Sequence, residues 1–254
     1  MKYDPTFHNY DLDVYEEPQE IRGYQKQFSI STPRGATSTT VTTPITTETP
    51  AAEEPFYTDS DLSILQNGGT RDEMERVATK YFSHEEGLKD YQAAAIAGAI
   101  TSESNFRLNA ENKEEKAGKN PAVNPTKYGL GILQWTGSRH DAYKKFVSEH
   151  GGIPNFKTQL DFIRKELNDR PEYLENLKKA KNVREATQYT YTQYVNAEFK
   201  NVNADNVDAY TNKVQNMYRK NHTITYGKAG PGDFSVRFKN AERILNNIHN
   251  KQWE

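Results

Sequence analysis

The sequence predicts an α+β fold that is mostly α, with a small β region and an extended arm in front of it. Three observations carry this prediction. Apolar residues recur at helical spacing from residue 70 onward, a glycine-punctuated stretch between residues 105 and 136 is the one strand-like part, and a Thr/Pro-rich segment before it has no periodicity. The 254 residues leave room for one large domain or two small ones. With 34% hydrophobic residues, 27% charged residues and a mean hydropathy of -0.97, part of the chain buries little.

Residues 31–55 hold nine Thr and four Pro and read as an extended linker. Residues 1–30 spread Tyr3, Phe7, Tyr10, Tyr15, Tyr24 and Phe28 among six acids and three bases. Such a segment cannot fold alone, yet its aromatics suit anchoring on another protein's surface. A solvated tail with incidental tyrosines is the alternative. The organisation read here is an extended docking arm and linker over 1–68 and a folded domain over 69–254, with an insertion at 201–232.

Thr70-x-x-Glu73 is a capping box, followed by Met74, Val77, Ala78 and Tyr81 at helical spacing. A second helix runs from Leu88 to about Ser104. After the strand-like stretch, a helix from Arg139 to His150 is stopped by Gly151-Gly152, with Ser138-x-x-Asp141 as its capping box. Phe156, Leu160, Ile163 and Leu167 mark the next, ending near Pro171, and Leu174 and Leu177 a short one. Asn182-x-x-Glu185 opens a helix reaching Tyr194. Val207, Tyr210, Val214 and Met217 mark another, and Phe234, Phe238, Ala241, Leu245 and Ile248 the last.

In the Leu88–Ser104 helix, Ile96, Ile100 and Glu103 fall at i, i+4 and i+7 on one face. Ala93, Ala94, Ala95, Ala97, Gly98 and Ala99 leave little side-chain volume, so neighbouring helices can approach closely and bury the helix nearly all round. A carboxylate at the end of such a helix is partly desolvated, and its pKa is expected to rise towards the working pH, as a general acid requires. A solvated or capping glutamate is the plainer use.

Downstream lies Tyr128-Gly129-Leu130-Gly131-Ile132-Leu133-Gln134-Trp135-Thr136-Gly137-Ser138-Arg139. Gly129 and Gly131 free one strand face for close approach of a ligand or another backbone, or serve as turn glycines. Trp135 offers a flat apolar face for a sugar ring, or packs in the core. Gln134 can bond an N-acetyl group or a loop carbonyl, and Tyr128 is open in the same way.

Ser102-Glu103-Ser104-Asn105-Phe106 followed by this motif resembles the phage tail lysozyme family, within the wider lysozyme and lytic transglycosylase superfamily. The resemblance covers residues 91–146 and, more loosely, Gln159–Leu167, Tyr194–Glu198 and Arg237–Ala241. It implies a lysozyme-like domain in which Glu103 is the catalytic acid and Tyr128, Gly129, Gln134 and Trp135 border the sugar-binding cleft. The implied activity is cleavage of MurNAc-GlcNAc bonds, by a glycosidase or a lytic transglycosylase of a phage tail or internal assembly. Its partners would be peptidoglycan and, through residues 1–50, other virion proteins, and its role the opening of the host wall for DNA delivery. A lysozyme-like structural protein without activity is the alternative.

Glycosidases ordinarily use two acids, about 5 to 9.5 Å apart. Between Ser104 and His140 the acids are Glu111, Glu114 and Glu115, in a run that reads as a solvated charged loop. Glu111 is the candidate second carboxylate. A single-acid course is equally open, with Glu103 acting first as acid and then as base.

Other classes find little support. The net charge of -2 and pI of 6.3 argue against nucleic-acid binding. The histidines at 8, 84, 140, 150, 222 and 249 lack metal-ligand spacing, so no metal or cofactor is expected. There is no cysteine, and no stretch is apolar enough for a signal peptide or a membrane span.

Overall fold

The structure, a computed structural model, describes residues 56–119, 124–195, 201–226 and 233–250, with the side chains of the helix after residue 207 described as far as Met217. Residues 1–55 of the expected arm, Glu198 and residues 227–232 lie outside the described residues.

The fold is built around one helix. Helix α3 (Asp90–Ser104) is enclosed by α2 (Arg71–Glu86), α8 (Val183–Tyr189), a following π-helix π1 (Thr190–Val195) and α10 (Phe234–His249). Ala93, Ala94, Ala95, Ile96, Ala97, Ala99 and Ile100 are all buried, as the small-residue pattern predicts. At Gly98 a Cβ would come within 2.7 Å of the Ala241 backbone nitrogen on α10, so the two helices touch closely there. Larger side chains, Tyr81, Phe82, Phe106, Phe156 and Phe162 among them, fill the space around this core. Each contributes roughly 1.5–3 kcal/mol on burial.

Helix α1 (Asp59–Asn67) begins earlier than the sequence reading placed the first helix, within the stretch read as extended arm. Thr58 and Asp61 form a reciprocal capping box, and Ile64 and Leu65 are buried against α2 and α6 (Phe156–Asn168). Asp61 is also wholly buried, accepting hydrogen bonds from Arg76 at 2.5 Å and Lys80 at 2.7 Å.

The expected caps at Thr70 and Asn182 form. The expected cap of α5 (Gly137–Glu149) does not: the helix starts after Thr136, and Asp141 pairs instead with Lys127 Nζ at 2.5 Å. Starting two residues earlier leaves Ser138 inside the helix, where it cannot cap. Helix α4 (Lys113–Lys116) is a single turn in the charged loop, and α7 (Pro171–Lys179) is the short helix around Leu174 and Leu177. Helix α9 (Val207–Tyr226) packs on α8 and π1. The helix expected to run from Asn182 to Tyr194 therefore changes from α to π at Thr190.

Strand content shrinks to two isolated antiparallel bridges among the described residues, Glu111 with Leu130 and Leu130 with Trp135. Leu130 and Trp135 exchange both backbone hydrogen bonds, at 3.2 and 2.9 Å, around a turn over residues 131–134. Gly131 takes φ +73° there, and Gln134 takes φ +49°.

Candidate active site

Glu103 sits in the last turn of α3, its side chain 20% exposed. Asn105 and Phe106 follow in left-handed conformations, at φ +54° and +60°. Asn tolerates this region; a bulky Phe there costs on the order of 1–3 kcal/mol. Complete burial of Phe106, edge-on to Phe156, offsets the strain. The chain therefore turns sharply just after the candidate acid, and the turn is held by the core.

Arg237 Nη2 donates to Glu103 Oε1 at 2.5 Å. Arg237 is only 3% exposed, its guanidinium lies over the Tyr191 ring at 5.7 Å, and its Nε and Nη1 have no hydrogen-bond partner among the described residues. The structure thus sets a buried cation directly against the Glu103 carboxylate. The contact depends on the close seating of α10 on α3. Asn240 Nδ2 donates to Ser102 Oγ at 3.0 Å, and Arg243 forks onto Glu75 at 2.8 and 2.5 Å, with Thr101 Oγ1 donating to the same carboxylate.

A second guanidinium, Arg139 at the start of α5, feels the charge of Glu103. Burial lowers its pKa, but the Glu166 hydrogen bonds and the charges of Tyr194, Glu166 and Glu103 outweigh burial and raise it, so it stays a cation. Glu166 is the hub behind it. It accepts from Arg139 Nε at 2.6 Å and Nη2 at 2.7 Å, from Trp135 Nε1 at 3.0 Å, and from the Tyr194 hydroxyl at 2.9 Å. With four donors on one buried carboxylate, this network is saturated and rigid. Residues of π1 thus reach both arginines, Tyr191 under Arg237 and Tyr194 under Arg139. Residues of a π-turn often lie at functional sites.

The structure decides between several of the alternatives left open by the sequence. Trp135 is completely buried, stacked on Tyr143 at 4.4 Å and edge-on to Phe162, so it has no face for a sugar. Its expected place along the cleft is corrected to a place in the core, because its ring and indole N–H are both taken. Gly131 serves the same packing: a Cβ there would come within 2.7 Å of the Trp135 ring. Gly129 makes room for Gln134, whose Oε1 would meet a Cβ at 2.9 Å. The Gln134 Nε2 donates to the carbonyls of Gly131 at 2.9 Å and Ala110 at 3.3 Å, so its amide bonds the loop.

Tyr128 is half-buried and donates to Glu111 Oε1 at 2.8 Å, while Lys116 donates to Oε2 at 2.8 Å. These two bonds, Lys116 first, hold the Glu111 carboxyl below its ordinary pKa. Glu111 is therefore an ionised carboxylate in an ion pair. It borders a groove of ≈ 410 Å³ between residues 108–111 and the C-terminal half of α5, and Glu103 is not among the residues lining that groove.

The sequence reading had Arg237 only as a landmark of resemblance and did not see its pairing with Glu103, nor the role of Glu166. A signal existed for both. Arg237 shares a helical face with Ala241 and Ile244, and Glu166 shares one with Phe162 and Ile163; a charge on an apolar face demands a partner.

A family model described as phage tail lysozyme matches residues 73–218, more than half of the chain, running from α2 into α9 and ending before Arg237. Comparison with curated proteins and with solved structures finds no match. Fold, motif and matched range agree: the chain belongs to the phage tail lysozyme family, lysozyme-like phage proteins that act on peptidoglycan.

Proposed function

We propose that this protein cleaves the glycan strand of bacterial peptidoglycan at MurNAc-GlcNAc bonds, with Glu103 as the acid. The observation that carries the reading is the Glu103–Arg237 pair, in which a part-exposed carboxylate on the matched motif is fixed by a buried guanidinium. Glu103 gives its proton to the glycosidic oxygen as the C1–O bond breaks, and Arg237 stabilises the carboxylate left behind. Glu111 is engaged by Lys116 and Tyr128 and borders a groove whose lining does not include Glu103. The single-acid course therefore fits best: the sugar's own 6-hydroxyl attacks C1, its proton passes to Glu103, and an anhydro ring closes. In a virion this would open the wall locally for DNA delivery, with residues 1–50 tethering the enzyme to neighbouring proteins.

Mass spectrometry of the muropeptides released from purified peptidoglycan tests this, comparing the full chain with Glu103→Gln. Anhydro-muropeptides that vanish in the variant are the expected result. Reducing ends that vanish in the variant would mean hydrolysis with a second acid elsewhere, and no products from walls of several bacteria would mean a structural protein on a lysozyme scaffold.

A further inference from the structure

The groove beside Glu111 is left unused by the chemistry at Glu103. Leu108, Leu130, Val147 and Pro154 give it apolar walls, and Ile153, between the lining residues Gly152 and Pro154, is 64% exposed. Three polar groups border these walls. Lys144 on α5 is exposed and makes no ion pair or hydrogen bond among the described residues. Glu111 on the opposite side is an ionised carboxylate. Tyr143, which also lines the groove, has a buried hydroxyl with no hydrogen-bond partner among the described residues. A buried donor left unpaired costs roughly 1–3 kcal/mol, which a ligand carbonyl would recover.

We infer that this groove holds the peptide stem of peptidoglycan, while the glycan lies at Glu103; the inference rests on the proposed function. The chemistry of the two polymer parts selects the stem. In a peptide-bearing strand the lactyl carboxyl is consumed in an amide bond, so the glycan is neutral and the charges sit on the peptide. The stem's alanine methyl groups suit shallow apolar walls. Its free carboxylate suits Lys144, its amide carbonyls suit the Tyr143 hydroxyl, and the amine of its diamino acid suits Glu111. The groove is thus a specificity site that favours peptide-bearing strands over bare ones.

The test titrates the isotope-labelled full chain with an N-acetylated stem tetrapeptide and, separately, with a peptide-free chitooligosaccharide, following the amides of Leu130, Val147 and Gly152 by NMR. The tetrapeptide is expected to shift these amides, with an apparent Kd weakened about fivefold in Lys144→Glu, a change on a solvated helix face that leaves the fold intact. In parallel, Lys144→Glu is expected to lower kcat/KM about fivefold on intact peptidoglycan and to leave it unchanged on strands stripped of stems by an amidase. Absence of tetrapeptide shifts, shifts from the chitooligosaccharide at the same amides, or an equal effect of Lys144→Glu on both substrates would each overturn the inference. Peptide binding in a chain that cleaves neither substrate would uphold the groove and refute the proposed activity.

Discussion

Arg237 offers five N–H donors, of which one reaches Glu103 while Nε and Nη1 find no partner among the described residues. Among the described residues the one carboxylate its guanidinium reaches is Glu103. Arg237→Gln is expected to lower kcat on peptidoglycan about 10²-fold, with a smaller change in KM, since the interaction counts most when Glu103 loses its proton. Arg237→Lys should restore part of the rate. A loss confined to KM would place Arg237 on the substrate instead. Trp135 makes the contrasting case. Trp135→Phe keeps a ring against Tyr143 but removes the donor to Glu166, and should cost roughly 1–3 kcal/mol in urea unfolding while leaving KM unaltered. A raised KM with unchanged stability would put the indole back in the cleft. Neither residue's role can be read from its neighbours in sequence, because the partners are 134 and 31 residues away.

At the scale of elements, the α3–α10 contact decides where Arg237 stands. Gly98→Ala would press a methyl group onto the Ala241 backbone, with no flexible side chain to yield. It should destabilise the protein by about 1–3 kcal/mol and lower activity as well, by shifting Arg237 from Glu103; thermal unfolding and initial rates measure the two effects. Helix α1 depends on a different device. Burial works to raise the pKa of Asp61, but hydrogen bonds from Lys80, the Thr58 N–H and Arg76 outweigh it and bring it down to about 2. A folded value below the unfolded one means that the pairing stabilises fully above the ordinary aspartate value of 3.8 and is lost as pH falls through about 2. The contribution is about 2 kcal/mol. Amide exchange of α1 should accelerate over that window, and Asp61→Asn should abolish the pH step; an exchange rate indifferent to the substitution would refute it.

For the whole molecule, what the sequence revealed was local. The caps at Thr70 and Asn182 and the small-residue run of α3 were legible because a few adjacent residues decide them. Helix α1 was missed although Thr58-x-x-Asp61 and the spacing of Asp61, Ile64 and Leu65 carried its signal, masked by nearby polar and turn-like residues. The conversion from α to π at Thr190 and the inward turn of Trp135 were not legible. Both follow from packing: π1 brings Tyr191 and Tyr194 under two arginines, and Gly131 lets the indole pass. Glu103 was singled out through its company in the motif, and the buried arginine paired with it lies beyond the matched stretch of the family. For the molecule as a whole, the proposed wall cleavage depends on the Glu103 carboxyl. The most direct measurement is the rate at which the full-length chain solubilises dye-labelled peptidoglycan, set against Glu103→Gln with its fold verified by circular dichroism. A fall of about 10²- to 10⁴-fold is expected; a folded Glu103→Gln variant that solubilises the wall at the native rate would contradict that dependence.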